Sequence, residues 1–460
     1  MSAPETVAGA RVGVIGLGRS GGAVTRLLLD GGARVYASDA AGPDAVAADV
    51  AELEAAGATV ELEGHDVDRL LECDWIVTSP GVPPDARPLR AAAAAGVEVY
   101  GELEVASWHA EAPIVAITGT NGKTTTTALL GEIAREGGLR AVVAGNIGRA
   151  FSDAVREEPG AGWYVLEASS FQLGRIATFR PRVAVVLNLA ADHLDTYPSF
   201  EAYRADKERI AENQGEGDHL CLSAEDPALA GFGASRPVRR HWFHRTAPVE
   251  RGAAVVDGWI TLVGEPAAGR VLPADALRIP GAHNLQNALA ATLAASRMGV
   301  GREGIAAGLR SFRGVPHRLE TVSEIDGVRW VNDSKATNVS SAAAALEAFD
   351  APLLAILGGH HKGASYESLA TPLSERARRV LAIGEAADRI SDELGGVVEV
   401  EVAGTLDRAV ERARDLARPG DVVLLAPACS SYDQFEDYEA RGEAFRALVT
   451  AAPVAREAGE

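Results

Sequence analysis

The chain has 460 residues, of which 47% are hydrophobic and 23% charged, and its formal net charge is -20. This length suits about three domains with packed cores, and the acidic charge argues against nucleic acid and anionic membranes as partners. Three widely spaced cysteines, no basic and apolar leader, and no apolar run of about 18 residues predict a reduced, cytoplasmic protein that does not span a membrane. We expect a monomer.

The first block of the chain alternates short apolar strands with helices, which is typical of a parallel, doubly wound sheet. The predicted strands are Arg11–Ile15, Arg34–Ser38 and Trp75–Thr78. A glycine turn (Gly16, Gly18 and Gly21) follows the first strand, and Asp39 ends the second. This pattern imitates a dinucleotide fingerprint, which alone is a weak signal and leaves a nicotinamide dehydrogenase open.

The second and third blocks repeat the α/β rhythm. In the second block we predict strands at Ile114–Ile117, Trp163–Leu166 and Val183–Leu187, helices at Phe200–Asn213 and Asn284–Met298, and a β excursion over Pro237–Pro273. In the third we predict strands at Val328–Val331, Leu353–Leu357, Val380–Ile383 and Val422–Leu425. The predicted fold is α/β with three domains, at 1–101, 102–314 and 315–460: a Rossmann-like domain, a P-loop ATPase-like domain, and a second Rossmann-like domain.

A phosphate-binding loop is predicted at Thr118–Thr124, between an apolar strand and a helix. Glycines such as Gly119 and Gly122 let backbone amides converge on phosphate oxygens at the positive end of the helix. Lys123 can reach the terminal phosphates, and the hydroxyl of Thr124 can bind Mg²⁺. The loop departs from the usual GxxxxGK[ST] pattern, because Ile117 stands where the first glycine would be.

Three further residues, all downstream of this loop in the chain, are candidates for the same site. Glu167 follows a strand, at the sheet edge where Mg²⁺ ligands gather. His193 follows the next strand, and the residues alone leave a metal ligand and a packing or capping histidine equally open. Lys207 lies on a helix, where a solvated surface lysine paired with Asp206 or Glu208 is the ordinary expectation.

These residues together resemble the Mur ligase family of bacterial cell-wall synthesis over essentially the whole chain. The resemblance rests on the TGTNGKT loop, Glu167, Asp192-His193, Lys207, His283-Asn284 with Asn287, Arg318 and Asp333. The segments 166–173, 333–338 and 427–435 are similar to those of the D-glutamate-adding members. The resemblance implies an ATP-dependent acid–amino-acid ligase whose substrates are UDP-N-acetylmuramoyl-L-alanine, D-glutamate and ATP, in peptidoglycan precursor synthesis.

The resemblance also implies roles for individual residues. Lys123, Glu167, His193 and Lys207 would be catalytic. One Mg²⁺ would lie near Thr124 and Glu167, and a second near His193 and Lys207, the lysine being converted by CO₂ into a carbamate that can bind a cation. The ATP-binding residues would be Gly119, Thr120, Asn121, Gly122, Lys123, Thr124, Thr125, Asn284, Asn287, Arg318, Asp333 and Lys335.

The other two substrates would be bound by the flanking domains. The UDP-substrate residues implied by the resemblance are Gly18, Arg19, Ser20, Asp39, Ser79, Asn146 and His193. Ala40 and Ala41 stand where the family often has hydroxyl and basic groups, which puts the uracil contacts in question. The implied D-glutamate residues are Thr337, Lys362, Ser431 and Tyr438, of which Tyr438 replaces a more usual phenylalanine.

Three other functions stay open on the sequence. A sibling Mur ligase or a folylpolyglutamate synthase would share the phosphate loop, although the segment 430–435 and the glycine-rich first domain argue against both. A dehydrogenase would explain Gly16–Gly21 and leave Thr118–Thr124 without a role. A non-enzymatic nucleotide-binding scaffold would not need Glu167, His193 and Lys207.

Overall fold

The structure is a computed structural model, and it describes residues 6–43, 46–193, 196–279, 281–361 and 363–451. It contains three sheets with helices on their faces. The chain divides into two compact units, one formed by Met1–Leu277 with His283–Phe312 and the other by Arg278–Ala282 with Arg313–Glu460. Within the described ranges, no helix has both the length and the apolar content needed to cross a membrane.

The first sheet has five parallel strands in the order β3-β2-β1-β4-β5. Its strands are nearly continuous apolar runs because helices cover both faces of the sheet. The elements are β1 (Arg11–Ile15), α1 (Arg19–Asp30), β2 (Arg34–Ser38), α2 (Val50–Ala55), β3 (Thr59–Glu61), α3 (Val67–Leu71), β4 (Trp75–Thr78), α4 (Arg87–Ala95) and β5 (Val99–Gly101). The three predicted strands are confirmed with the same bounds.

The second sheet has nine strands in the order β14-β13-β12-β11-β10-β9-β6-β8-β7, parallel from β7 to β12 and antiparallel beyond. The parallel part comprises α5 (Glu102–Trp108), β6 (Ile114–Thr118), α6 (Lys123–Glu136), β7 (Ala141–Gly145), α7 (Phe151–Glu157), β8 (Trp163–Glu167), α8 (Ser170–Leu173), β9 (Val183–Val186), α9 (Phe200–Glu208) and β10 (His219–Ser223). The predicted β excursion forms β11 (Arg239–His244), β12 (Gly252–Val256), β13 (Trp259–Val263) and β14 (Gly269–Pro273), and α10 (Ala282–Met298) and α11 (Arg302–Ser311) follow.

The prediction of one helix over Phe200–Asn213 is wrong in its second half. The α-helix ends at Glu208, and a single 3₁₀ turn (Arg209–Ala211) follows it. The guanidinium of Arg209 donates to the carbonyl oxygens of Gly174 and Ile176, both at 2.5 Å. These long-range bonds tighten the chain where sequence periodicity alone continues the helix.

The second compact unit contains a six-stranded sheet in the order β15-β16-β20-β17-β18-β19, antiparallel only between β15 and β16. The elements are β15 (Glu320–Ile325), β16 (Val328–Asn332), α12 (Val339–Glu347), β17 (Leu353–Gly358), α13 (Ala370–Arg376), β18 (Ala377–Ile383), α14 (Ala387–Leu394), β19 (Val400–Gly404), α15 (Leu406–Leu416), β20 (Val422–Leu425) and α16 (Tyr438–Thr450). All four strands predicted in this block are confirmed: the last has the predicted bounds, and the other three are longer by one to three residues.

Helices α1 and α7 join the first two sheets within one unit. The Arg26 guanidinium lies 3.2 Å from the Asp153 carboxylate, and Arg156 Nε donates to Asp30 at 2.6 Å. Arg19, in the first turn of α1, donates to the carbonyl oxygen of Gly148 at 2.9 Å. The glycine turn after β1 is therefore attached to the domain that carries the phosphate loop.

A buried carboxylate fixes the segment that leads into β9. Glu104 is fully buried on α5, and its Oε1 accepts from the backbone N–H of Thr178 (2.8 Å), the Thr178 hydroxyl (2.6 Å) and Trp108 Nε1 (2.8 Å). Its Oε2 accepts from the N–H groups of Ala177 (2.9 Å) and Phe179 (2.8 Å). Five donors thus converge on one side chain that no sequence motif singles out.

Candidate active site

The phosphate loop has the strand–loop–helix geometry that its sequence predicts. Gly119 and Gly122 have φ angles of 151° and 85°, in the region that favours glycine. A Cβ atom at Gly122 would lie only 2.3 Å from Asn287 Oδ1. Gly122 also caps α6, so the loop ends at the first, positive turn of a 14-residue helix.

Asn188, the second residue after β9, holds the loop in place. Asn188 Oδ1 accepts from the N–H of Asn121 at 2.8 Å, and Asn188 Nδ2 donates to the Asn121 carbonyl at 3.1 Å. The N–H of Thr120 donates to the Asn188 carbonyl at 3.0 Å. Sequence analysis did not single out Asn188, although a polar residue at the carboxyl end of a neighbouring strand is a usable signal.

The ammonium group of Lys123 lies against the loop that it is predicted to serve. Its Nζ donates to the carbonyl oxygens of Gly119 and Thr120, both at 2.9 Å. These bonds keep the cation over the loop, where the terminal phosphates of a nucleotide would approach it.

Glu167 is buried at the end of β8, which pairs with β6 at Ile117. Its Oε1 accepts from Asn146 Nδ2 at 2.9 Å, which brings two predicted site residues together. Its Oε2 is also buried and has no hydrogen-bond partner among the described residues. A desolvated carboxylate oxygen without a donor is costly, and a cation would compensate it, so the site fits a bound Mg²⁺.

Lys207 is only 2% exposed, so the surface reading of this lysine is wrong. Its Nζ donates to the Gly119 carbonyl at 3.0 Å and to Thr118 Oγ1 at 3.4 Å, and it lies 4.7 Å from the centre of the Tyr203 ring. Burial, reinforced by the nearby Lys123 cation, lowers the pKa of Lys207 well below its ordinary value. The structure therefore places a readily deprotonated amine beside the phosphate loop.

His193 lies on the same side of the sheet in a left-handed conformation, with a φ angle of 54°. Its ring packs edge-on against Phe171 at 5.1 Å and lies 6.4 Å from Tyr203, with 47% of the side chain exposed. In the described part of the chain, no group of three or more His, Cys, Asp or Glu side chains could hold a metal ion. A metal here would need a further ligand, such as a modified Lys207.

Helix α10 carries the two asparagines that are predicted to bind ATP. Asn284 and Asn287 are both buried, and Asn287 Nδ2 donates to Asn284 Oδ1 at 3.2 Å. The contact that a Cβ at Gly122 would make with Asn287 shows that this helix adjoins the phosphate loop.

The predicted UDP site lies at the carboxyl edge of the first sheet. Gly16 has a φ angle of 89°, and a Cβ at Gly21 would fall 1.8 Å from the Gly16 carbonyl oxygen. Asp39 accepts from the N–H groups of Leu17 (2.6 Å) and Ala41 (2.8 Å), and the Ser79 hydroxyl donates to the Gly16 carbonyl at 2.7 Å. Both side chains therefore shape the turn itself.

The second unit holds the remaining predicted residues that the structure describes. Asp333 is buried after β16 and accepts from the N–H of Leu319 at 3.2 Å; burial raises the pKa of its carboxyl to about 6, against the lowering effect of the Arg318 cation. Lys335 Nζ lies 5.4 Å from the centre of the Tyr438 ring. Ser431 is buried after β20, and Thr337 is partly buried just before α12. Lys362 lies outside the described residues.

Arg441 is a buried residue of this unit that sequence analysis missed. Its guanidinium donates to the Ser334 hydroxyl and carbonyl, both at 2.9 Å, and to the carbonyls of Ser430 (3.1 Å) and Cys429 (3.2 Å). Burial lowers its pKa to about 10. Because the donor and its acceptors are up to 107 positions apart, no local pattern indicates that Arg441 joins the loops after β16 and β20.

Comparison with known proteins agrees with this architecture. Residues 10–101, 117–295 and 317–429 match, respectively, the Mur ligase MurD-like N-terminal domain, the Mur ligase middle domain and the Mur ligase glutamate ligase domain. A UDP-N-acetylmuramoylalanine--D-glutamate ligase of Salinibacter ruber is 45% identical over 457 residues, which cover 97% of this chain and 99% of that protein. A protein of Pelotomaculum thermopropionicum with the same name is 43% identical over 441 residues, covering 95% and 97%.

Among solved structures, the UDP-N-acetylmuramate-alanine ligase MurC of Thermotoga maritima is similar in fold, with a TM-score of 0.59 at 19% identity over 95% of this chain and 98% of that one. Three α/β domains in the same order, the phosphate loop between β6 and α6, and high identity over nearly the full length of two relatives all agree. The chain therefore belongs to the Mur ligase family, in its MurD branch.

Proposed function

We propose that this chain uses ATP to join D-glutamate to UDP-N-acetylmuramoyl-L-alanine, as the names of its relatives state for those proteins. The observation that carries the proposal is the cluster at the end of β6, where Lys123, the buried amine of Lys207 and the uncompensated oxygen of Glu167 accompany one phosphate loop. A binding scaffold or a dehydrogenase gains nothing from this combination.

The reaction joins two anions and therefore needs an activated carboxylate. An oxygen of the alanyl carboxylate attacks the γ-phosphorus of ATP, the bond to the β-phosphate oxygen breaks, and ADP leaves. The amine nitrogen of D-glutamate then attacks the carbonyl carbon of this acyl phosphate, inorganic phosphate leaves, and the amine loses a proton to solvent. Lys123 and the loop amides at Gly119–Thr124 bind the phosphates and stabilise their developing charge.

Two Mg²⁺ sites accompany this proposal. Thr124 and Glu167 would hold one ion, and His193 with a carbamylated Lys207 the other. Bound Mg²⁺ supplies Lewis-acid neutralisation of the phosphate charge. Carbamylation joins the neutral amine of Lys207 to CO₂ with loss of one proton, and the burial that lowers the pKa of Lys207 supports it by making the neutral amine available.

The lysine content of the chain supports a role that only an amine can fill. Among its 44 Lys and Arg residues there are four lysines, namely Lys123, Lys207, Lys335 and Lys362. All four are residues that the family resemblance assigns to the site. Everywhere else the chain uses arginine, which stays protonated and cannot form a carbamate.

The flanking domains are proposed to bind the other substrate groups. Gly18, Arg19 and Ser20 at the start of α1 would bind the pyrophosphate, with Asp39 and Ser79 shaping the turn and Asn146 contacting the sugar or alanyl side. In the second unit, Arg318, Asp333 and Lys335 would serve ATP. The D-glutamate carboxylates would be bound by the predicted set Thr337, Lys362, Ser431 and Tyr438.

Phosphate release tests the proposal directly. The purified protein, ATP, Mg²⁺ and UDP-N-acetylmuramoyl-L-alanine are mixed with D-glutamate, L-lysine or meso-diaminopimelate in separate reactions. We expect release with D-glutamate alone. Release with another amino acid would assign the chain to a sibling activity, and no release with any of the three would refute the proposed ligase.

Substitutions at Lys207 test the carbamate. We expect Lys207→Ala and Lys207→Arg each to reduce turnover by about 10³-fold, because neither side chain can become a carboxylate-like ligand. Urea unfolding of both variants is measured beside the assay, and a cooperative transition in each shows that the loss of turnover is not a loss of the fold. Activity of Lys207→Arg near the normal level, or full activity of the unmodified enzyme in buffer stripped of CO₂ and bicarbonate, would contradict the carbamate.

A further inference from the structure

The geometry of the first sheet indicates where the base of the UDP substrate lies, if the proposed function holds. The pyrophosphate is placed at the start of α1, which follows β1, and the ribose is expected near Asp39, which follows β2. In the strand order β3-β2-β1-β4-β5, these two points define a direction from β1 to β2. The next strand in that direction is β3, so the base is expected over the loop that follows β3.

That loop lies directly against the loop that follows β2. The N–H of Asp39 donates to the Glu61 carbonyl at 3.0 Å, and the N–H of Gly64 donates to the Asp39 carbonyl at 3.1 Å. The N–H of Glu63 donates to the Ala41 carbonyl at 3.0 Å. The two loops therefore form one continuous surface at the end of the sheet, and His65 follows immediately.

The ring of His65 is held in a fixed orientation on this surface. His65 is half-buried, and its Nδ1 is 2.9 Å from the hydroxyl of Ser38, which is itself fully buried at the end of β2. The next residue, Asp66, donates its N–H to the Tyr36 hydroxyl at 3.0 Å, which fixes the backbone on the other side. Within the described residues, the second ring nitrogen, Nε2, has no hydrogen-bond partner.

The side chains next to Asp39 cannot donate a hydrogen bond to a base, whereas this ring nitrogen can. Ala40 and Ala41, which follow Asp39, have side chains without polar atoms, so they contribute no side-chain donor to a base. Burial lowers the pKa of His65, so its imidazole is neutral near pH 7. When the Ser38 hydroxyl donates to Nδ1, the remaining proton of the ring is on Nε2, which is then a donor.

We propose that His65 is a specificity-determining residue that donates a hydrogen bond from Nε2 to a carbonyl oxygen of the uracil base. The buried Ser38 hydroxyl positions the ring and selects the tautomer. The side-chain hydrogen bond to the base would then come from the loop after β3 and not from the loop after β2.

Calorimetric binding of UDP and of inorganic pyrophosphate to the full chain tests the proposal independently of turnover. We expect His65→Ala to weaken UDP binding by about tenfold, which corresponds to about 1.4 kcal/mol, and to leave pyrophosphate binding unchanged. His65→Gln should recover part of the loss, because its amide nitrogen can donate. Asp68→Ala, at an exposed position in the first turn of α3, is the matched control and should bind UDP normally.

Two results would overturn the assignment: unchanged UDP binding by His65→Ala, or equal weakening of UDP and pyrophosphate binding, which would mean a structural role for the ring. In the ligase assay, the same variant should raise KM for the UDP substrate about tenfold and leave KM for ATP and kcat unchanged. If the unmodified protein releases no phosphate with D-glutamate, the proposed function fails, and the UDP titrations still decide the role of His65.

Discussion

Replacing Glu104 by glutamine should strongly destabilise the first compact unit although the two side chains have nearly the same shape. Glutamine replaces one acceptor oxygen by an NH₂ group. In one amide orientation this group faces the N–H donors of Ala177 and Phe179, and in the other it faces Trp108 Nε1 and both donors of Thr178. At least two donors that point at this fully buried side chain lose their acceptor in either case. At about 1–3 kcal/mol for each, the expected loss in the free energy of unfolding is about 2–6 kcal/mol.

Urea unfolding followed by tryptophan fluorescence measures this loss, since Trp108 is itself one of the donors. Glu111→Gln, at an exposed position just beyond the same helix, makes the same chemical change without burial and should alter the free energy by less than about 0.5 kcal/mol. If Glu104→Gln unfolds within about 0.5 kcal/mol of the unmodified protein, the five-donor cluster does not hold the segment before β9, and the reasoning is wrong.

Two other predictions follow from particular groups at the site. Gly122→Ala should raise KM for ATP at least about tenfold, because the new Cβ would lie 2.3 Å from Asn287 Oδ1. The control is Gly138→Ala, since Gly138 has a similar φ of 78° and open space around it. Equal effects of the two substitutions on KM would refute the steric argument. For Asp333 the folded pKa of about 6 lies above the reference value of 3.8, so the folded state binds the proton more tightly, and stability is fully present below about pH 4 and decreases as the pH rises through 6. Urea unfolding of Asp333→Asn should therefore show a gain over the unmodified protein that is about 2 kcal/mol larger at pH 7 than at pH 4, and a gain independent of pH would contradict the assignment.

The sheets could be predicted from sequence because their buried strands are almost uninterrupted apolar runs. Four predicted strands, including Arg11–Ile15 and Val422–Leu425, have the same bounds in the structure, and the others differ mainly at their ends. The phosphate loop was also predictable, because its glycines and its lysine occupy adjacent positions in the chain. Local patterns suffice where the interacting residues are neighbours in sequence.

The rest of the site depends on contacts between distant segments. The ordinary expectation for Lys207 was a surface lysine, and its burial comes from the phosphate loop 88 positions away. Glu104 and its partners in 177–179 are 73 to 75 positions apart, and Arg441 reaches loops that follow two different strands. No helical or strand period encodes such pairs, so only the three-dimensional structure shows that these residues are in contact.

The aromatic surroundings of His193 give the site a spectroscopic label of its own. The imidazole lies edge-on to Phe171, whose ring also stacks with that of Tyr197 at 5.3 Å. Ring currents from these side chains should displace the ring-proton NMR signals of His193 from those of the other nine histidines. If the proposed function holds, a single resolved resonance would then report the arrival of Mg²⁺, nucleotide and sugar substrate in turn, without any change to the sequence.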